Sequence, residues 1–270
     1  MFILLIDAIL LFVIRIGYRQ CLNLSAKGDS MNILAIGAHP DDVECNCAGT
    51  LAKYAAQGHK VYIATATNGN IGSATMPKDE IARVRKAEAA KSAAIIGAEY
   101  LCLDYNDELF YETLEVRLAF IELVRYCKAD VILTHNPTDY NPDHELTSKI
   151  VKDIAVMIPI AKLPTKSAPY DVIPSIWYFE PVSSMGFIPT DYVDITDYYE
   201  TKKKMLSCHE SQRAWMSDNF AALRDDQDKF FDTIRITSEF RGMQAGCKYA
   251  EGFVRAMDGF RTRMTERVLP

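Results

Sequence analysis

From Asn32 onward, short apolar runs alternate with longer amphipathic stretches. Asn32–Gly37 (NILAIG) is an apolar run closed by glycine, the pattern of a strand buried on both faces of a parallel sheet. Residues 43–57 then read as a helix stopped by Gly58, and 60–66 (KVYIATA) as a second, β-branched strand. A Gly/Asn/Ser-rich loop follows over 67–77. The spacing predicts helices over 79–96, 114–127 and 144–157, and strands over 99–103, 130–134 and 175–179. A short strand is expected over 192–195, then a helix with Thr196 or Asp197 as its N-cap. The tail over 218–257 reads as largely helical. Strand–helix alternation from 32 to 157 predicts an α/β fold: a doubly wound, Rossmann-like, mostly parallel sheet flanked by helices, forming a single domain over 31–270.

Residues 1–30 break this pattern. Met1–Ile14 is apolar apart from Asp7, and Arg15, Arg19 and Lys27 follow. The run is short for a membrane span, which needs ~20 residues, and lacks the leading cationic segment of a signal peptide. It reads as an apolar N-terminal extension: an anchor, a peripheral helix, or sequence upstream of a start at Met31. Cytoplasmic localisation is expected, with membrane contact only through residues 1–14 if they form an anchor.

Composition narrows the function classes. Hydrophobic residues are 49% and charged residues 24%, which excludes wholesale disorder. Lys+Arg is 30 against Asp+Glu 36, a net charge of −6 with no basic block, so no nucleic-acid partner is expected. Seven cysteines without a C-x-x-C pair read as reduced thiols rather than a disulfide framework.

The candidate chemistry lies at two strand ends, where open α/β sheets bind ligands. His39-Pro40-Asp41-Asp42 follows the first strand and HNPTDYNPDH (135–144) the fourth. His39 and Asp42, three apart across a strand-to-helix turn, can converge on one ion, and Asp41 between them can face its water. One histidine from the second loop completes two imidazoles and a carboxylate with an open position, the donor set of a catalytic zinc site. The plainer readings are an Asp pair serving as a dipole-matched helix start and solvated loop histidines. His135 reads equally as a structural or a supporting residue, His209 as structural, and Cys45 and Cys47 as packing.

The ordered set of motifs resembles the PIG-L/LmbE-like N-deacetylases. It comprises AHPDD at 38–42, Gly49-Thr50-Leu51, Thr67-x-Gly69-x-x-Gly72-Ser73, Arg85-x-x-Glu88, Pro142-Asp143-His144, Val193-Asp194-Ile195-Thr196, His209-x-Ser211-Gln212 and Tyr249-Ala250-Glu251-Gly252-Phe253. The resemblance implies a hydrolase that removes acetyl from an N-acetylglucosamine-type amino sugar. It implies His39, Asp42 and His144 as ligands to zinc, or to iron, cobalt or manganese, and Asp41 as the general base. Arg85 and Tyr140 are expected beside the substrate. The family commonly has His-Pro-Asp-His in the second motif, where this chain has Asn141. Asn141 is then expected as a neutral oxyanion donor, with Asp143 losing the histidine it would orient. The alternatives are a catalytically weakened sugar-binding member or a membrane-tethered glycolipid deacetylase. The expected partner is a small-molecule amino sugar, and a homo-oligomer is compatible with the sequence.

Overall fold

A computed structural model describes residues 30–219 and 228–257. The apolar extension, and with it the anchor reading, lies outside the described residues apart from Ser30. The described strands are β1 Asn32–Gly37, β2 Lys60–Thr67, β3 Glu99–Tyr105, β4 Val131–Thr134, β5 Ser175–Phe179, β6 Asp191–Asp194 and β7 Ala250–Arg255. They form one sheet in the order β3-β2-β1-β4-β5-β7-β6. β1 to β5 are mutually parallel, whereas β7 runs antiparallel between β5 and β6. The described helices are α1 Asp42–Asn46, α2 Ala48–Ala56, α3 Lys78–Ala94, α4 Leu114–Cys127, α5 Pro142–Ile154, α6 Tyr199–Leu206, α7 Glu210–Asn219 and α8 Asp228–Ala245.

Each strand feeds two cores because its side chains alternate. Leu34 and Ile36 of β1 face one core, with Phe120 and Val124 of α4 and Ile150 and Ile154 of α5. Ile33 and Ala35 face the other, with Leu51 and Tyr54 of α2 and Trp177 and Phe179 of β5. Helices on both faces of a parallel sheet are the doubly wound arrangement the alternation predicts. Among the described residues no helix is long and apolar enough to cross a membrane.

Among the described residues the tail is largely helical, as expected, through α8; it ends in β7, whose pairing partners are distant in sequence and leave no local signal. Two local expectations fail for physical reasons. The helix expected over 43–57 breaks at Cys47 (φ −143°, ψ 13°). The break frees N–H groups that Glu251 of β7 takes: its carboxylate accepts from Gly49 N at 3.1 Å and Thr50 N at 2.7 Å, and pairs with buried Lys202 at 2.6 Å. Neither Thr196 nor Asp197 caps α6. Residues 196–198 form a tight 3₁₀ turn instead, and Asp194 Oδ1 accepts from Thr196 N.

Candidate metal centre

β1 sits between β2 and β4, and the chain leaves it in opposite directions on its two sides. The loops after β1 and β4 therefore diverge at a topological switch point, the crevice where such sheets hold ligands. His39, Asp41 and Asp42 come from the first loop, and His144 from the first turn of α5.

The first loop is tightly made. Gly37 leaves room for Asp42, since a Cβ there would lie 2.9 Å from Asp42 Cβ. Asp42 Oδ2 accepts from His39 N at 2.6 Å. Asp41 adopts φ 116°, a left-handed conformation that costs a non-glycine residue of order 1–3 kcal/mol. Buried Arg85 of α3 offsets that strain: its Nη2 donates to Pro40 O at 2.7 Å and to Asp41 Oδ1 at 3.3 Å, and its Nη1 to Gly69 O at 3.4 Å.

Gly69 has φ 67°, and a Cβ on it would lie 2.4 Å from Arg85 Nη1. Gly69→Ala is therefore expected to cost more than about 1 kcal/mol in a urea titration and to loosen Arg85 from Asp41. An unchanged midpoint would contradict this account of the loop.

The candidate ligand atoms converge. His39 Nδ1 lies 3.2 Å from His144 Nε2 and 3.5 Å from Asp42 Oδ2, and His144 Nε2 lies 3.4 Å from Asp42 Oδ1. Donors bound at ~2.0–2.2 Å to one tetrahedral ion stand roughly 3.3–3.6 Å apart, so these spacings fit such an ion. The far nitrogens are each backed by carboxylates. His39 Nε2 is 2.9 Å from Asp107 Oδ1 and 3.4 Å from Asp143 Oδ2, and His144 Nδ1 is 3.1 Å from Asp139 Oδ1. With protons on those far nitrogens, two imidazole lone pairs and a carboxylate face one point. A cation suits that arrangement, and the carboxylate–histidine backing is the one metal-binding imidazoles use.

Among the described residues two other groups could hold an ion: His135–Asp139–His144 and His39–Asp107–Asp143. His135 Nε2 already accepts from Ala38 N at 2.9 Å. Of the three groups, only His39–Asp42–His144 lies wholly on the wall of the cleft that opens here, a cavity of about 370 Å³.

The electrostatics agree with a cation site. Burial pushes the His144 imidazole down, but Asp42 and Asp139 outweigh it and hold it raised to about 9. Burial likewise opposes protonation of His39, and Asp107, Asp143 and Asp42 raise it well above its ordinary value. Both histidines thus hold protons where an ion can replace them. His135 is lowered to about 4 by burial and by its neighbour His144. Burial would raise Asp42, yet the adjacent His144 and His135 keep it well below the usual carboxylate range. Asp41 is raised to about 6 by burial, with Arg85 opposing and Asp42 adding to the rise.

The other candidate residues divide. Tyr140 is 68% exposed at the cleft lip, its ring edge-on to His144. Arg85 lines the cleft, but its guanidinium is committed to the Pro40 and Gly69 carbonyls and to Asp41. Asn141 lines the cleft too, yet its side-chain oxygen caps α5, accepting from Asp143 N at 2.7 Å, while Nδ2 donates to Glu108 Oε1 at 2.7 Å. One amide proton remains for a ligand. Asp143 supports His39 and accepts from Glu108 N at 2.8 Å. The sequence reading missed Asp107 and Glu108. They follow β3, a third strand carboxyl end, and that position was the available signal.

A buried three-point donor set at the switch point of a doubly wound sheet defines this site as a candidate metallohydrolase centre. Known proteins resemble the chain at this site. The sequence profile of PIG-L, GlcNAc-PI de-N-acetylase, matches residues 34–155. The diacetylchitobiose deacetylase of Thermococcus kodakarensis is 27% identical over 236 residues, covering 83% of this chain and 82% of that protein. The solved N,N'-diacetylchitobiose deacetylase of Pyrococcus horikoshii superposes with a TM-score of 0.71 at 25% identity, covering 84% of each chain. The 4-oxalmesaconate hydratase of Pseudomonas putida is 22% identical over 191 residues, covering 66% of this chain and 73% of that protein.

Proposed function

We propose that the protein is a divalent-metal-dependent N-deacetylase of an N-acetylglucosamine-type amino sugar, with His39, Asp42 and His144 holding the ion. The observation that carries this reading is the convergence of His39 Nδ1, His144 Nε2 and the Asp42 carboxylate beside Asp41 on the cleft wall. Zinc suits two imidazoles and a carboxylate; the ion would supply Lewis acidity and a water of lowered pKa.

The chain's own residues do the rest. Asp41 takes a proton from water as its oxygen attacks the amide carbon. Asn141 and Tyr140 line the cleft, and either can donate to the oxyanion that forms there. The C–N bond then breaks, Asp41 returns its proton to the departing nitrogen, and acetate and a free amine leave. Asp143, Asp107 and Asp139 hold the two imidazoles, and of the three only Asp107 also lines the cleft. Arg85 positions Asp41, so its part in binding substrate is indirect.

Water addition, the reaction named for the Pseudomonas relative, is the rival reading, and the charge of the cleft argues against it. Asp41, Asp42, Asp107 and Glu108 line the cleft, and the one cationic arginine among its lining residues is already paired. A polycarboxylate would find the ion as the one unpaired cation there and would also meet Glu108, whereas a neutral sugar offers hydroxyl donors. The test is acetate release from N,N'-diacetylchitobiose, run beside hydration of an unsaturated carboxylic acid. Hydration without acetate release would overturn the proposal.

A pH dependence follows from Asp41. The base works deprotonated, so kcat/KM should fall as the pH drops through about 6. A nearby cation moves that limb lower. A flat acid side down to pH ~4, below the ordinary carboxylate value, would remove Asp41 from this role.

A further inference from the structure

Glu108 is held more firmly than an exposed glutamate needs to be. It adopts φ 60°, in the left-handed region. Its N–H donates to Asp143 Oδ2 at 2.8 Å, and its Oε1 accepts from Asn141 Nδ2 at 2.7 Å. The residue before it, Asp107, donates its N–H to Asn70 Oδ1 at 3.1 Å and sets its carboxylate against His39. A free glutamate side chain has much rotamer freedom to lose when it is fixed. Here both ends are tied, and the carboxylate is presented to the cleft in one place.

We propose that Glu108, anchored by Asn141, is a specificity-determining residue: it accepts hydrogen bonds from hydroxyl or ammonium substituents of the substrate and turns away anionic ones. The inference rests on the amino-sugar reading and deepens it. An ionised carboxylate is acceptor-only. Asn141 takes Oε1, and among the described residues no hydrogen bond reaches Oε2. A donor-bearing group completes that acceptor. An anionic group would face it across the cleft, where Arg85 is already tied to Asp41, and such like-charge juxtaposition is how sites reject wrong ligands.

The experiment compares acetate release from three probes by the metal-loaded protein: methyl N-acetylglucosaminide, its phosphate monoester, and N-acetylchitobiose carrying one free amine. The wild type should favour the amine over the phosphate by about tenfold or more in kcat/KM, a difference of ~1.4 kcal/mol. Glu108→Gln keeps an acceptor for Asn141 and removes one of the cleft's carboxylates, so this preference should shrink several-fold toward unity. The change should lie mainly in KM, with unfolding midpoint and metal content unchanged. Acetate release with a preference unaltered by Glu108→Gln overturns this inference alone. No acetate from any probe overturns the amino-sugar reading and this inference with it.

Discussion

Asp41→Asn is expected to lower kcat by about 10²–10⁴-fold, the usual worth of a general base, while metal content stays at the wild-type level. The carboxylate of Asp41 is not among the three converging ligand atoms. It is buried against Arg85, which contacts its Oδ1 at 3.3 Å. Asparagine preserves that shape and keeps an oxygen for the guanidinium, but it cannot accept the proton from water. Folding should improve slightly near neutral pH. The native pKa of Asp41, at about 6, lies above the ordinary value, so its ionisation cost to folding builds as the pH rises from about 4 to 6 and is complete above that, a cost the amide does not carry. Metal analysis and kcat on one preparation check this. Loss of the ion from a folded variant would make Asp41 a ligand and reassign the roles.

His144→Ala should remove both metal and activity. It deletes one of three donors, leaves Asp42 without the neighbour that most favours its ionisation, and leaves Asp139 without its imidazole. A protein with the two remaining donors should retain little ion after dialysis, and its kcat should approach that of the chelated wild type. Calorimetry adds a second readout. Because His39 and His144 are held protonated in the ion-free protein, uptake at pH 7 must release protons. Affinity should therefore weaken as the pH falls and strengthen toward pH 9. The proton count, read from the dependence of heat on buffer ionisation enthalpy, should drop in His144→Ala. Full metal retention with proton release unchanged would place the ion elsewhere.

The parts of the fold legible in the sequence are those set by local pattern. Apolar runs such as NILAIG and SIWYF locate strands, because a doubly buried strand can hold little else. His39, Asp42 and His144 were legible because strand carboxyl ends attract ligand chemistry and the motif set resembles one family. What could not be read depends on distant pairing. β7 lies between β5 and β6 through partners more than fifty residues away. The break at Cys47 makes sense only once Glu251 arrives to cap α2. Asn141 illustrates the same limit at the site. Its residue type suggested an oxyanion donor, but the fold commits its oxygen to α5 and one amide proton to Glu108. Asp107 and Asp139 resemble ordinary loop acids until the structure sets them against the far nitrogens of His39 and His144.

The most direct test of the central claim is an anomalous difference map of the metal-loaded protein, recorded at the absorption edge of the ion found by metal analysis. The account predicts one dominant peak about 2.0–2.2 Å from His39 Nδ1, one Asp42 oxygen and His144 Nε2, facing the cleft. A peak among His135, Asp139 and His144, or among His39, Asp107 and Asp143, would contradict it and would detach Asp41 from the chemistry proposed for it.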